Sequence, residues 1–267
     1  MSSKLREALG QVQQNEINNR LRLSADWLRT GRGPQATMRD AVTTQALNNL
    51  RDQLHEIQKM AGNGQPGAGD KDRQGLEQAL ARIADPKGEG SRACLTVYAG
   101  PARAAADAAD ARAADGISLG PLDGSIVSIK DLFDVAGEPT RAGSKILADE
   151  AKPATGDAPV VRRLRGAGAV IVAKTNMTEF ALGGIGANPH FGTPGNPSDR
   201  ARVPGGSSSG AAVTAADGMC EIAIGTDTGG SVRLPAGLCG IVGFKPSRQR
   251  VPTEGAFPLS TTLDSIG

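Results

Sequence analysis

The sequence predicts an α/β fold, and three observations point to it. Short apolar runs of strand character recur at residues 94–98, 126–129, 170–173, 222–224 and 241–244. Stretches of helical spacing or high alanine content separate them, the alternation expected of a sheet with helices outside. Gly/Ser-rich turns close several of the apolar runs, and the 36 glycines in 267 residues follow no period. That pattern is too aperiodic for collagen and too apolar for plain disorder.

Composition narrows the function classes. A formal net charge of +2, with 22% charged residues, gives no reason to expect nucleic-acid binding. Aromatic residues make up 3%, so the core must rest on Val, Ile, Leu and Ala. The cysteines, Cys94, Cys220 and Cys239, are odd in number and widely spaced, which argues against a disulfide framework. The start, MSSKLREALG, lacks the apolar region of a signal peptide, and no stretch reaches the length of a membrane span. The expected location is the cytoplasm.

Residues 1–60 read as a helical region. Leu5, Leu9 and Val12 form one apolar stripe, with Leu21 and Leu28 extending it. Leu47, Leu50, Leu54 and Ile57 form another after a break at residues 31–34. The run AGNGQPGAGD that follows reads as a turn, so the linker is placed at 61–72 and the main domain at 73–267. Gly62, Gly64 and Gly67 match a dinucleotide-binding glycine pattern, but no strand precedes them and a proline interrupts.

In the main domain, Leu76, Leu80 and Ile83 mark a helix at 74–84. A strand follows at 94–98, then an Ala/Asp/Arg-rich helix at 101–115 ended by Gly116. The strand at 126–129 delivers Lys130, and a helix at 157–164 leads to the strand at 170–173. A short helix is expected at 177–182, and a Gly/Pro/Asn-rich loop at 188–202. A helix at 209–216, a strand at 222–224, a helix beginning near Gly230 and a strand at 241–244 complete the series.

Two hydroxyl-rich turns, GGSSSG (205–210) and TDTGGS (226–231), bracket an Ala-rich helix and a strand. Glycine permits close backbone approach, and consecutive N–H groups can hold a negative oxygen. Serine supplies a nucleophile if something removes its proton. Lys130, carried to the interior by GSIVSIK, loses hydration there, which favours the neutral amine able to accept that proton. Competing chemistries lack support. His55 and His190 have no ligand-spaced neighbours, and no phosphate-binding GxxxxGK[ST] loop occurs.

These motifs resemble the amidase signature family. The resemblance rests on GPLDGSIVSIKDLFDVAG (120–137), GAVIVAKTNMTEFALG (168–183), NPHFGTPGNP (188–197), VPGGSSSGAAV (203–213) and GTDTGGSVRLPAGLCGIVGFKPS (225–247). It implies a mixed β-sheet core flanked by α-helices. It implies Ser231 as nucleophile, Lys130 as base and Ser207 as the relay between them, with Gly206–Ser207 held cis. Backbone N–H groups of Thr228, Gly229, Gly230 and Ser231 would form the oxyanion hole, each such donor contributing about 3 kcal/mol. Asp227 and Arg233 would hold the nucleophile turn, and Ser208 would support the relay. Ser209 stands where the family usually has glycine, and is expected to supply a capping oxygen at a helix start.

The resemblance calls for no cofactor or metal. It implies hydrolysis of a small-molecule carboxamide through an acyl-enzyme. A glutaminase-type amidotransferase subunit that feeds ammonia to partner subunits shares the same motifs. A homodimer is a further possible association. The sequence stops at LSTTLDSIG with the helix–strand alternation still open, so a chain lacking the family's C-terminal half is expected. A catalytically inactive interaction protein is the contrasting class.

Overall fold

The computed structural model describes residues 71–267. The helical region expected at 1–60, with His55, and the linker as far as residue 70 lie outside the described residues. Lys71 and Asp72 are already helical, in α1 (Lys71–Ala84). Its Leu76, Ala79, Leu80 and Ile83 form one buried stripe. Each large apolar side chain of this kind contributes roughly 1.5–3 kcal/mol when fully buried. A second helix, α3 (Ala99–Ala114), turns Ala102 and Ala106 into the same cluster, and the small alanines allow close packing. Asp110 of α3 accepts hydrogen bonds from the backbone N–H of Asp72 and Arg73, both at 2.9 Å. This satisfies donors that a helix start leaves unpaired.

The short helix α2 (Gly90–Ala93) leads into β1 (Cys94–Val97). The remaining strands of the main sheet are β2 (Ile126–Lys130), β3 (Val170–Thr175) and β4 (Ile222–Ile224). The order is β1-β3-β2-β4; β2 runs parallel to β3 and β4, and β1 runs antiparallel to β3. The sheet is therefore mixed. Every residue of β2 and β3 is buried, as expected when both faces are covered. Ile126, Val170 and Val172 pack with α1, α3 and α6 (Ser209–Ala216), whereas Val127, Ile129 and Ile171 pack with Phe133, Met177 and α5 (Pro159–Gly166). Before α5 lies the short helix α4 (Lys145–Glu150), which buries none of its residues. Among the described residues no helix is long and apolar enough to cross a membrane.

A second, two-stranded antiparallel ladder joins β5 (Thr226–Asp227) to β6 (Ser265–Ile266). It pins the last residues of the chain beside the second Gly/Ser turn.

Three expected elements differ. Residues 241–244 are not a strand; Val242 and Phe244 are 94% and 73% exposed, and no neighbouring strand pairs with them among the described residues. The expected helix at 177–182 shrinks to a single 3-10 turn, Glu179–Ala181. Phe180 and Ala181 take φ values of 52° and 59°, which an α-helix does not admit. The helix expected near Gly230 begins later, as α7 (Arg233–Cys239). Gly230 has φ +141°, so the chain is still turning there.

Candidate active site

Lys130 ends β2. Successive side chains of a strand alternate, so it shares the face of Ile126 and Ser128. Ser128 meets α6 on that face, with Oγ 3.0 Å from Thr214 Oγ1. Lys130 has no solvent exposure, and its amine lies 2.7 Å from Ser207 Oγ and 3.0 Å from Thr226 Oγ1. Burial lowers its pKa from the ordinary 10.5 to about 7, although the charges of Asp227 and Asp264 act in the opposite direction. Desolvation outweighs the two carboxylates because the amine is wholly removed from water.

Ser207 is placed by the turn that enters α6. The Gly206–Ser207 peptide is cis. Gly206 N–H donates to Gly184 O at 2.8 Å, and the Ser207 carbonyl accepts from Thr178 N–H at 3.0 Å. The next turn is wedged against the sheet: Gly210 N–H donates to Asn176 O, and Asn176 N–H donates to Ala93 O. A Cβ on Gly210 would lie 2.4 Å from Ala93 O and 2.6 Å from Asn176 N, so only glycine fits. The first cluster is thus locked to the ends of β3 and α2. Ser209 begins α6, but its buried Oγ has no hydrogen-bond partner among the described residues, so the expected capping oxygen is not used.

Ser231 sits in the turn before α7, 9% exposed. It is not at a helix start, because the left-handed Gly230 delays the helix. Its carbonyl accepts from Ser208 N–H at 3.2 Å, and Ser208 Oγ donates to Thr226 O at 3.3 Å. These bonds bring the two Gly/Ser turns together. The described residues contain no hydrogen bond between the Ser207 and Ser231 hydroxyls; the direct contact is between Lys130 and Ser207. Among the described residues, the backbone N–H groups of Thr228, Gly229, Gly230 and Ser231 donate to nothing.

Asp227 is fully buried and organises the loop. It accepts from the N–H groups of Val232 (3.2 Å) and Arg233 (3.3 Å) and from the Arg233 guanidinium at 3.0 and 2.8 Å. Burial pushes its pKa up, but the Arg233 guanidinium and the two N–H donors outweigh burial and hold it below the ordinary value. The Arg233 guanidinium thus grips the turn in two places, a geometry a lysine does not reproduce.

Two contacts lie outside the expected set. Thr226 joins Ser207 on the Lys130 amine; its position in TDTGGS was the available signal. Asp264 accepts from Thr228 Oγ1 at 2.5 Å, and from the N–H groups of Leu259 (2.9 Å) and Ser260 (3.1 and 3.0 Å). Nothing local marks Asp264, because Thr228 lies 36 residues away. Asp131, next to Lys130, turns to the opposite face and pairs with Arg141 at 2.9 Å. Lys174, also buried, stands 3.9 Å from Glu138. His190 meets Glu179 at 3.3 Å and makes no hydrogen bond to these hydroxyls among the described residues.

The Amidase family model matches residues 76–267. The chain belongs to the amidase signature family. A glutamyl-tRNA(Gln) amidotransferase subunit of Anaeromyxobacter dehalogenans (strain 2CP-C) is 50% identical over 192 residues, covering 72% of this chain and 38% of that protein. The same name recurs in similar proteins from Chloroflexus aurantiacus and Acidothermus cellulolyticus, for example. The 2-amino-5-chloromuconic acid deaminase of Comamonas testosteroni is 49% identical over 62% of this chain and 36% of that protein. The solved peptide amidase of Stenotrophomonas maltophilia superposes with a TM-score of 0.68 at 36% identity, over 79% of this chain and 43% of that one. The chain therefore spans less than half the length of these relatives.

Proposed function

We propose that this chain carries the catalytic centre of an amide-cleaving serine enzyme, and that it serves as the glutaminase-type subunit of an amidotransferase. The observation that carries the chemistry is a fully buried lysine whose amine is 2.7 Å from Ser207 Oγ. The neutral form of the amine is the reactive one. Ser207 gives its proton to Lys130 Nζ and takes the proton of Ser231. The Ser231 oxygen then forms a bond to the carboxamide carbon. The negative oxygen of the tetrahedral adduct is met by the N–H groups of Thr228 to Ser231, preorganised donors of the kind that stabilise such charge. When the C–N bond breaks, the proton returns from Lys130 through Ser207 to the leaving nitrogen. Water enters by the same relay and hydrolyses the ester, leaving a carboxylate. Asp227, Arg233 and Ser208 hold the two turns in register.

The amidotransferase reading is favoured because that type of subunit recurs in the set of similar proteins. The deaminase and the peptide amidase supply the second reading, a free-standing amidase with its own carboxamide substrate. Purification from the native cell followed by an ammonia-release screen separates the two. The first reading predicts copurifying subunits and ammonia from glutamine in preference to aliphatic, aromatic and other amino-acid amides. An unaccompanied chain that releases ammonia from those amides and not from glutamine supports the second. Labelling by a fluorophosphonate probe tests the serine chemistry common to both, and must vanish in Ser231→Ala.

A further inference from the structure

Asp264 belongs to none of the motifs that mark the site, yet its carboxylate binds three separate groups of the surrounding loops. Thr228 Oγ1 donates to it from the nucleophile turn. Leu259 and Ser260 donate their N–H groups from the segment that leads back to β6. The β5–β6 ladder holds that segment in place, with Thr226 opposite Ile266 and Asp227 opposite Ser265. A further exchange between Gly225 and Gly267, at 2.8 and 3.2 Å, closes its end. The nucleophile turn is thus held from both sides. Asp227 binds its exit at Val232 and Arg233, and Asp264 binds its entry at Thr228.

We infer that Asp264 is a positioning residue of this centre: it fixes Thr228, and with it the backbone donors from Thr228 to Ser231, and presents a negative charge to Lys130. The inference rests on the proposed Ser231–Ser207–Lys130 chemistry.

Lys130 is surrounded by few charges. From β5 it meets Thr226, and it senses the charge of Asp227, whose carboxylate Arg233 of α7 binds. From the turn before α6 it meets Ser207. From the segment before β6 it senses Asp264, whose charge, like that of Asp227, favours the protonated amine against the effect of burial. Asp131, the next residue after Lys130, is turned away and paired with Arg141. Asp227 is shared with a guanidinium, whereas Asp264 binds only neutral donors among the described residues. Its charge is therefore the less compensated of the two.

The test reads Lys130 directly, by NMR titration of the chain carrying 13Cε-labelled lysine, with the resonance assigned from Lys130→Met. In Asp264→Asn the midpoint of Lys130 falls by about half a pH unit, because an opposite charge that stabilised the protonated amine is gone. Thr228→Val leaves that midpoint in place but lowers the 15N order parameters of Gly229, Gly230 and Ser231, and Thr228→Ser restores them. The Thr228 pair keeps the test decisive if Asp264→Asn does not fold. An unmoved Lys130 midpoint in folded Asp264→Asn overturns the electrostatic part, and unchanged order in Thr228→Val overturns the positioning part. A wild-type Lys130 midpoint near 10.5 is a different failure: it removes the proposed base itself.

Discussion

Acidification strikes at the one group whose protonation state the proposed chemistry requires. The Lys130 amine has no exposure, and burial brings its pKa from 10.5 to about 7. That gap corresponds to about 5 kcal/mol against the charged form. It raises the neutral fraction at neutral pH from well under a tenth of a percent to about one half. Below the midpoint the neutral fraction falls tenfold per pH unit, so between about pH 8 and about pH 5 the acylation rate should drop about a hundredfold. The assay is the second-order rate of fluorophosphonate labelling across that range, read by intact-protein mass spectrometry. Lowering the pH protonates Lys130, so the rate is low on the acid side, half-maximal at about 7, and on its plateau about one unit higher. A flat profile down to about pH 5 refutes a neutral-lysine base, and a midpoint near the ordinary lysine value refutes the claim that burial sets it.

The remaining predictions concern single residues. Lys130→Met should slow labelling about a thousandfold and Ser207→Ala about a hundredfold, within the range of a lost general base, as measured by labelling kinetics at pH 8. Lys130 should also shape stability. Between about 7 and 10.5 its amine is neutral when folded and protonated when unfolded, so unfolding takes up a proton and stability rises with pH across that window. Urea titrations should show Lys130→Met losing a slope of up to about 1.4 kcal/mol per pH unit there; an unaltered slope contradicts the depressed pKa. Gly210→Ala should destabilise the chain by about 3 kcal/mol in the same assay, because the added methyl group meets the rigid backbone of Ala93 and Asn176.

Much of this was legible in the sequence, for reasons that are local. The buried strands β2 and β3 announced themselves as IVSI and VIVA between turn residues, and Lys130 stood out as the charge ending such a run. The Gly/Ser clusters marked two turns because glycine and serine suit backbone approach and nucleophilic chemistry together. What could not be read depends on pairing across the chain. The run at 241–244 has strand composition but no neighbour to pair with among the described residues. The 3-10 turn at Glu179–Ala181 follows from left-handed dihedrals at Phe180 and Ala181 that neither residue type suggests. Asp264 looks like an ordinary surface aspartate until the fold places it against Thr228. Ser209, read as a helix-capping hydroxyl, ends up buried without a partner among the described residues, because the wedge at Gly210 draws the first turn of α6 into the sheet.

The most direct measurement maps the fluorophosphonate adduct by tandem mass spectrometry in the wild-type chain, Ser231→Ala and Lys130→Met. A neutral lysine acting through Ser207 predicts a single adduct, on the Ser231 oxygen, that is absent from Ser231→Ala and forms about a thousandfold more slowly in Lys130→Met. An adduct on Ser207 or Ser208, or one that forms at Ser231 just as fast without the Lys130 amine, contradicts it.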